Sequence, residues 1–183
     1  MALGDPKLRQ DDAYWRQTMA GLVQAASDYF EREFRIRLVA ERIAPWPLTE
    51  RTSSTPVLLR RLKENFPLTG RDRSYDLIIG FTGETVDIYA GGRARVDRIG
   101  NCHEGLGNYV VASVSPPFRY LGSDADIDWD VLALIHEFGH IFGAEHTDDP
   151  TSIMHHDFAH RTEFDQKSRK AILRNRFCPF GNG

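Results

Sequence analysis

One eleven-residue segment, running from His136 to His146, constrains this chain more than any other feature. It reads HEFGHIFGAEH, with two histidines four residues apart and a third histidine six residues further on. On an α-helix, positions i and i+4 project from the same face. Two imidazoles placed in this way can bind one tetrahedral Zn²⁺. The spacing therefore predicts a metal site formed by His136, His140 and His146.

The other residues of this segment predict a catalytic site. Gly143 can adopt the positive φ that ends a helix, and a turn there would bring His146 to the same ion. Three neutral nitrogens leave a fourth position for water, which is typical of catalytic zinc. Glu137, directly after the first histidine, is the predicted general base. The alternative is a chance pair of helical histidines, against which the five fixed positions of the pattern HExxHxxGxxH argue strongly.

The composition indicates an ordinary globular domain. The chain has 183 residues, of which 41% are hydrophobic and 27% charged. A formal net charge of -3 provides no basic surface for nucleic acid. No apolar run approaches the roughly 20 residues of a membrane span, and the first residues do not resemble a signal peptide. We therefore expect neither a nucleic-acid nor a membrane partner, and leave open the earlier removal of a precursor segment.

Hydrophobic periodicity along the chain alternates between helical and strand patterns. Helices are predicted over 11–34, 57–66, 130–142 and 165–177, and strands over 34–40, 76–81, 93–98 and 108–114. Pro45 and Pro47 are expected to interrupt regular structure. Strands that alternate with helices, followed by a helical end, indicate an α/β domain.

An acidic series precedes the helix that carries the histidines. Its members are Asp124, Asp126, Asp128 and Asp130. Alternate carboxylates can bind calcium, but the glycine and the bidentate glutamate of a calcium loop are missing at the required spacing. Stabilisation of the helix N-terminus is the simpler interpretation.

The segment from His136 to Met154 resembles the metzincins, a clan of zinc endopeptidases with the pattern HExxHxxGxxH and a methionine-containing turn after it. Ser152-Ile153-Met154 follows the third histidine and matches that turn. The resemblance implies that Met154 lies beneath the metal, whereas a methionine by itself is equally typical of a core.

Two metzincin families share further features with the chain. Thr147, directly after the third histidine, resembles the serine that is usual in matrixins, where adamalysins have aspartate. Residues 76–83 and 92–102 resemble the adamalysin, or reprolysin, pattern. The matrixin signature for an additional zinc and calcium is missing. The resemblance, which covers roughly residues 76–177, therefore implies one catalytic Zn²⁺ and no structural calcium.

The resemblance also implies a zincin-like fold for one catalytic domain over residues 1–183. We expect a twisted mixed sheet of about five strands, an edge strand over the cleft, two long upper helices and a small C-terminal helical subdomain. The upper subdomain would span about 1–143 and the lower about 144–183. We expect a monomer that binds a protein or peptide substrate extended along the edge strand at 91–98. A plain solvated edge is the alternative for that strand.

The two cysteines, Cys102 and Cys178, are on sequence alone either two separate thiols or one long-range disulfide. In adamalysins a cysteine just after the edge strand pairs with one at the end of the last helix, and the resemblance implies the same pairing here. A disulfide indicates an oxidising compartment. We therefore expect a secreted or periplasmic protein, with a cytoplasmic one as the alternative.

His156 is the second residue after Met154. In astacins and serralysins this position is a tyrosine that can approach the zinc. One hypothesis makes His156 a fifth ligand or an oxyanion donor. The favoured interpretation is an exposed histidine on the pocket wall, because matrixins function without such a residue.

Together, the motif and the resemblance predict a zinc-dependent endopeptidase in which Glu137 is the base for an activated water. A zinc-holding binding or inhibitory module without catalysis is one alternative. It has no need of Glu137, which argues against it. The other alternative is a metallohydrolase that acts on small amides or cell-wall peptides.

Overall fold

A computed structural model describes residues 1–68, 75–86, 92–115, 129–157 and 161–181 of the chain. The elements within these residues are β1 (Ala2–Gly4), α1 (Pro6–Asp11), α2 (Trp15–Phe34), β2 (Ile43–Pro45), α3 (Thr55–Asn65), β3 (Ile78–Thr82), β4 (Ala94–Val96), β5 (Tyr109–Ser113), α4 (Trp129–Ile141) and α5 (Gln166–Asn175). Asp124, Asp126 and Asp128 of the acidic series lie outside the described residues.

The strands form a five-stranded sheet in the order β2-β1-β3-β5-β4, with β4 at one end. The pairs β1–β2, β1–β3 and β3–β5 are parallel, and β4 runs antiparallel to β5. This arrangement confirms the predicted mixed α/β sheet of about five strands. Strands β3 and β5, which the sequence places within one residue or two of their observed bounds, form its buried centre.

Two apolar layers cover the sheet because side chains alternate between the faces of a strand. One layer joins α2 and α4 to Ile79, Phe81, Val110 and Ala112. The other joins α3 to Leu3, Ile78 and Val111. The register of β4 places Ala94 and Val96 on the α4 face, and Arg95 opposite Val111 on the α3 face.

Helix α4 is buried on all sides. Every described residue from Asp130 to Ile141 is buried, which is expected of a helix that is apolar around its whole circumference. Phe30 of α2 packs against it, with its ring centroid 5.8 Å from those of both Phe138 and Phe142. Within the described part of the chain, no helix has both the length and the apolar character needed to cross a membrane.

The strand predicted over 34–40 is wrong. Arg35 ends α2 in the left-handed region, with a φ of 59°. Ile36 is part of the core and Leu38 packs against the core, whereas Arg37 between them is exposed. The N–H of Leu38 donates to the Ser27 hydroxyl at 2.9 Å. The alternating burial is therefore real, but it belongs to an irregular segment whose backbone is not part of the sheet.

Two three-residue strands and one short helix escape the sequence patterns. β1 lies between β2 and β3 although it is only three residues long, and β2 contains Pro45. β2 lies at the outer end of the sheet, where a proline is tolerated because one side of the strand needs no partner. Helix α1 begins after Asp5, whose carboxylate accepts the N–H of Leu8 at 2.7 Å.

Candidate metal centre

The structure brings the three predicted histidines together. His136 and His140 lie one turn apart on α4, and their Nε2 atoms are 3.1 Å from each other. The Nε2 atom of His146 lies 3.1 Å from that of His136 and 3.2 Å from that of His140. Among the described residues, these three alone form a group of His, Cys, Asp or Glu that could hold a metal ion.

The hydrogen bonds of the first two histidines decide what the three nitrogens can bind. The Nδ1 atoms of His136 and His140 donate to the carbonyls of Ile153 and Ala144, each at 2.7 Å. A carbonyl only accepts, so both protons are on Nδ1 and both Nε2 atoms carry lone pairs. Lone pairs that face one another need a cation between them. The triangle also fits zinc, since Zn–N bonds of about 2.0–2.1 Å in a tetrahedron place nitrogens about 3.3–3.4 Å apart.

The surroundings of the histidines favour their neutral form. Burial, and then the neighbouring His140, lowers the pKa of His136 to about 3. Burial lowers the pKa of His140 to about 4. Burial and the charge of His156 also lower the pKa of His146. Because metals bind neutral imidazole, protons compete weakly for this site at neutral pH.

Glu137 lies in the same cleft and is 7% exposed. Its burial raises the pKa of the carboxyl to about 8, while a hydrogen bond from the Val96 backbone and the charge of Arg95 lower it. A cation held by the histidines would lower this pKa further, because an opposite charge favours the ionised form. The cleft has a volume of about 550 Å³ and also contains the outer side of β4 and His156.

The turn after α4 confirms the predicted role of Gly143. Its φ is 92°, and its N–H donates to the carbonyl of His140 at 2.9 Å. The N–H of Ala144 donates to the carbonyl of Gly139, also at 2.9 Å. This pair of bonds is the Schellman motif, in which a left-handed residue ends the helix. The chain thereby reverses within two residues, and His146 reaches the other two ligands.

The last carbonyls of this helix end are bound from two distant segments. Those of His140 and Ile141 accept the N–H groups of Gly100 at 2.9 Å and Gly107 at 3.4 Å. That of Phe142 accepts Nδ2 of Asn175 at 3.1 Å. Asn175, which is 2% exposed, was not identified from the sequence.

A signal for Asn175 was present in the sequence. Ser168, Ile172 and Asn175 recur at helical spacing and form the buried stripe of α5. A polar residue on such a stripe indicates a buried hydrogen-bond partner.

Met154 is fully buried in a turn beside the metal site. The turn is closed by the N–H of His155, which donates to the carbonyl of Ser152 at 3.1 Å. The sulfur of Met154 packs against Gly139, where an added Cβ would lie only 2.7 Å from the Sδ atom. The same turn supplies the Ile153 carbonyl that fixes the ring of His136. The turn therefore supports the first metal ligand directly.

The structure places the remaining predicted residues as follows. His156 lines the cleft and is exposed, and its ring centroid lies 4.1 Å from that of His155. It does not belong to the group of converging ligand atoms. Cys102 lies in the loop after β4 and Cys178 follows α5, with their Cα atoms 5.0 Å apart. That separation is within the range of disulfides.

The chain was compared with known proteins. The family model described as metallo-peptidase family M12 (Reprolysin_5) matches residues 5–180. The chain belongs to metallo-peptidase family M12. The metallopeptidase predicted from the motif is thereby confirmed, as is the resemblance to zinc endopeptidases. The reprolysin type of the model agrees with the adamalysin-like pattern upstream of the histidines.

Solved structures show the same fold in more distant proteins. The archaemetzincin (amzA) of Methanopyrus kandleri is similar over 96% of this chain and 93% of its own, with a TM-score of 0.60 and 19% identity. Metalloproteinase-II of Bacteroides fragilis is similar over 94% of this chain, with a TM-score of 0.59 and 13% identity. The chain spans 51% of that second protein. No curated protein matches the chain in sequence.

Replacement of Gly143 by alanine should damage both folding and metal binding. The new Cβ would lie 2.2 Å from Nδ2 of Asn175 and 2.6 Å from the carbonyl oxygen of Gly100, in addition to the strain of its positive φ. We expect a loss of about 2–5 kcal/mol in the free energy of unfolding. We also expect less than one zinc per chain. Urea denaturation and metal analysis would measure the two effects.

Gly92→Ala is the matched control for this substitution. Gly92 also has a positive φ, of 79°, but among the described residues an added Cβ would meet nothing closer than the Ala94 carbonyl oxygen at 3.6 Å. It should lose only about 1–2 kcal/mol and retain its zinc. Equal losses in the two variants would contradict the role assigned to the packed turn.

Proposed function

We propose that this metallopeptidase is an endopeptidase that hydrolyses internal peptide bonds with one zinc ion and Glu137 as the general base. The observation that carries the proposal is the convergence of three imidazole Nε2 atoms beside a buried carboxyl group, in a cleft open to solvent. A purely structural site needs neither the neighbouring carboxyl nor the open cleft.

His136, His140 and His146 would hold the ion. Bound zinc supplies Lewis-acid chemistry, because it polarises a carbonyl oxygen and lowers the pKa of water. The protein orients the first two rings through the Ile153 and Ala144 carbonyls, which leaves their Nε2 atoms free to ligate. Fixed ligand orientation of this kind strengthens metal binding.

Glu137 would transfer protons during the reaction. Its carboxylate accepts a proton from the attacking water and delivers it to the amine that leaves. Burial raises the pKa of this group and a bound cation would lower it, and these opposing effects suit a group that both accepts and releases a proton. The hydrogen bond with Val96 keeps the carboxyl directed toward the outer edge of β4.

The outer edge of β4 supports an extended peptide as the substrate. Arg93 and Asp97 exchange backbone hydrogen bonds with β5, at 2.8 Å to Ser113 and 3.1 Å to Tyr109. Hydrogen-bonding direction alternates along a strand, so the backbone groups of Ala94 and Val96 face the cleft. A peptide that binds there as a further strand would run past the metal site. Substrate residues would then extend on both sides of the scissile bond, as in an endopeptidase.

Glu137→Ala should abolish cleavage of casein or gelatin while zinc remains bound. The substitution removes the base and leaves the three ligands in place, so we expect the rate to fall by at least about 100-fold. Metal analysis should still give one zinc per chain. A chelator should abolish the activity of the unmodified protein.

Glu64→Ala, on the exposed side of α3, is the control and should retain full activity. Zinc without cleavage of any peptide by the unmodified protein would support the binding module instead. Cleavage confined to small amides or cell-wall peptides would support the other metallohydrolase. Unchanged proteolysis in Glu137→Ala would contradict the proposed base.

We propose that His156 is part of the cleft wall and does not ligate the metal. Its exposure, its ring contact with His155 and the fact that it is not one of the converging ligand groups support this view. His156→Phe should leave turnover and zinc content unchanged. Loss of zinc would instead indicate a fifth ligand, and loss of turnover with zinc retained would indicate an oxyanion donor.

We propose that Cys102 and Cys178 form a disulfide and that the protein works in an oxidising compartment, secreted or periplasmic. Their Cα separation of 5.0 Å supports the bond. Closing a loop across 76 residues would stabilise the fold by about 4 kcal/mol on the chain-entropy model. Thiol titration of the unfolded, unreduced protein should detect no free thiol. Two thiols per chain would contradict the bond and favour the cytoplasm.

A further inference from the structure

The arginines of β4 and its flanks differ in what surrounds them. Nη2 of Arg93 donates to Asp130 at 2.8 Å and to the Ser115 hydroxyl at 2.7 Å. Nε of Arg98 lies 3.6 Å from the carboxylate of Asp97. Arg95, between them, is exposed and has no salt bridge within the described part of the chain. Of these three arginines, it is therefore the cation that no described carboxylate pairs with at salt-bridge distance, although Glu137 lies in the same cleft.

Arg95 also lines the cleft that contains Glu137 and the three histidines. Its side chain lies on the α3 face of the sheet, opposite Val111, whereas Ala94 and Val96 turn toward α4. The side chain of Arg95 therefore leaves the strand on the face opposite to that of Ala94 and Val96. It lies above the edge along which a peptide would bind.

Strand geometry determines which substrate residue would meet Arg95. The backbone groups of Ala94 and Val96 face the cleft, so a peptide added in antiparallel fashion would hydrogen-bond to Ala94 and to the carbonyl of Val96, whose N–H already bonds to Glu137. Arg95 then occupies a non-hydrogen-bonded position, where the opposite residue projects its side chain from the same face. Cβ atoms in such pairs lie about 4.5–5.5 Å apart, and opposite charges there attract.

We propose that Arg95 selects peptide substrates that carry aspartate or glutamate at the residue opposite it. This inference rests on the proposed endopeptidase function and names the substrate class of that site. A guanidinium remains charged at every accessible pH and binds a carboxylate through two parallel hydrogen bonds. A lysine at the same substrate position would meet a like charge and be disfavoured.

The test uses the zinc-loaded full chain and peptides blocked at both ends, so that a side chain provides the variable charge. Glutamate, glutamine and lysine are placed in turn at each position around one cleavage site, and kcat/KM is measured. At one position we expect glutamate to exceed glutamine by about two- to fivefold, and lysine by more. This preference should weaken in about 1 M salt, which screens exposed charges.

Substitution of Arg95 then tests whether this residue causes the preference for glutamate. Arg95→Gln should bring the glutamate-to-glutamine ratio at that position to about one, and Arg95→Glu should reverse it in favour of lysine. Other positions should be unaffected. Arg37→Gln is the matched control, because Arg37 is also exposed but does not line this cleft. It should retain the preference of the unmodified protein.

The possible results distinguish the role of Arg95 from the proposed endopeptidase function. Chelator-sensitive cleavage at the same rate for glutamate, glutamine and lysine at every position would overturn the role of Arg95. It would still support the endopeptidase function. A charge preference that survives in Arg95→Gln, or an equal change for all peptides, would overturn it as well. Absence of zinc-dependent cleavage of any peptide would overturn both.

Discussion

The candidate metal centre depends on one electrostatic constraint, because three imidazole Nε2 atoms are held facing one another across 3.1–3.2 Å, and those of His136 and His140 carry lone pairs. Acceptors without a donor are unfavourable in a buried place, so only a rigid surrounding can maintain the arrangement. Backbone carbonyls hold the opposite nitrogens of His136 and His140, and the Schellman turn at Gly143 fixes the approach of His146. Ligands ordered in advance lose little entropy when a metal binds.

Both ends of α4 are joined to the parts of the fold that form the cleft. In its first turn, the carboxylate of Asp130 accepts Arg93 at 2.8 Å and the N–H of Ser115 at 2.7 Å. At its other end, Gly100 and Asn175 bind the final carbonyls. The strand that forms the cleft wall and the helix that carries the ligands therefore belong to one rigid body. A site on rigid elements is positioned more accurately than one on loops.

The sequence was sufficient for the centre of the fold and for the cluster of three histidines because both depend on local geometry. One turn of helix separates His136 from His140, and only a residue tolerant of positive φ could follow at Gly143. Patterns that depend on distant partners were misread or missed. The alternation after α2 indicated a strand, yet Leu38 bonds to Ser27 and not to the sheet.

Other misses have the same origin. β1 and β2 are three residues each, too short for periodicity, and exist because the sheet pairs with them. The buried stripe of α5 can mark Asn175 as buried, but its partners lie 33 and 75 positions away, and no local pattern can identify them. The glycine at position 139 shows the same limit, because its need for a small residue arises from the packed sulfur of Met154.

The bond from Asn175 to the Phe142 carbonyl has a consequence for the order of biosynthesis. Residue 175 leaves the ribosome after the three histidines, so the nascent chain carries the complete ligand set before the helix end is secured. During that interval the last turn of α4 can fray, since its terminal carbonyl has only water as a partner. The end of the helix that carries His140 therefore reaches its final hydrogen bonding only after α5 has been made.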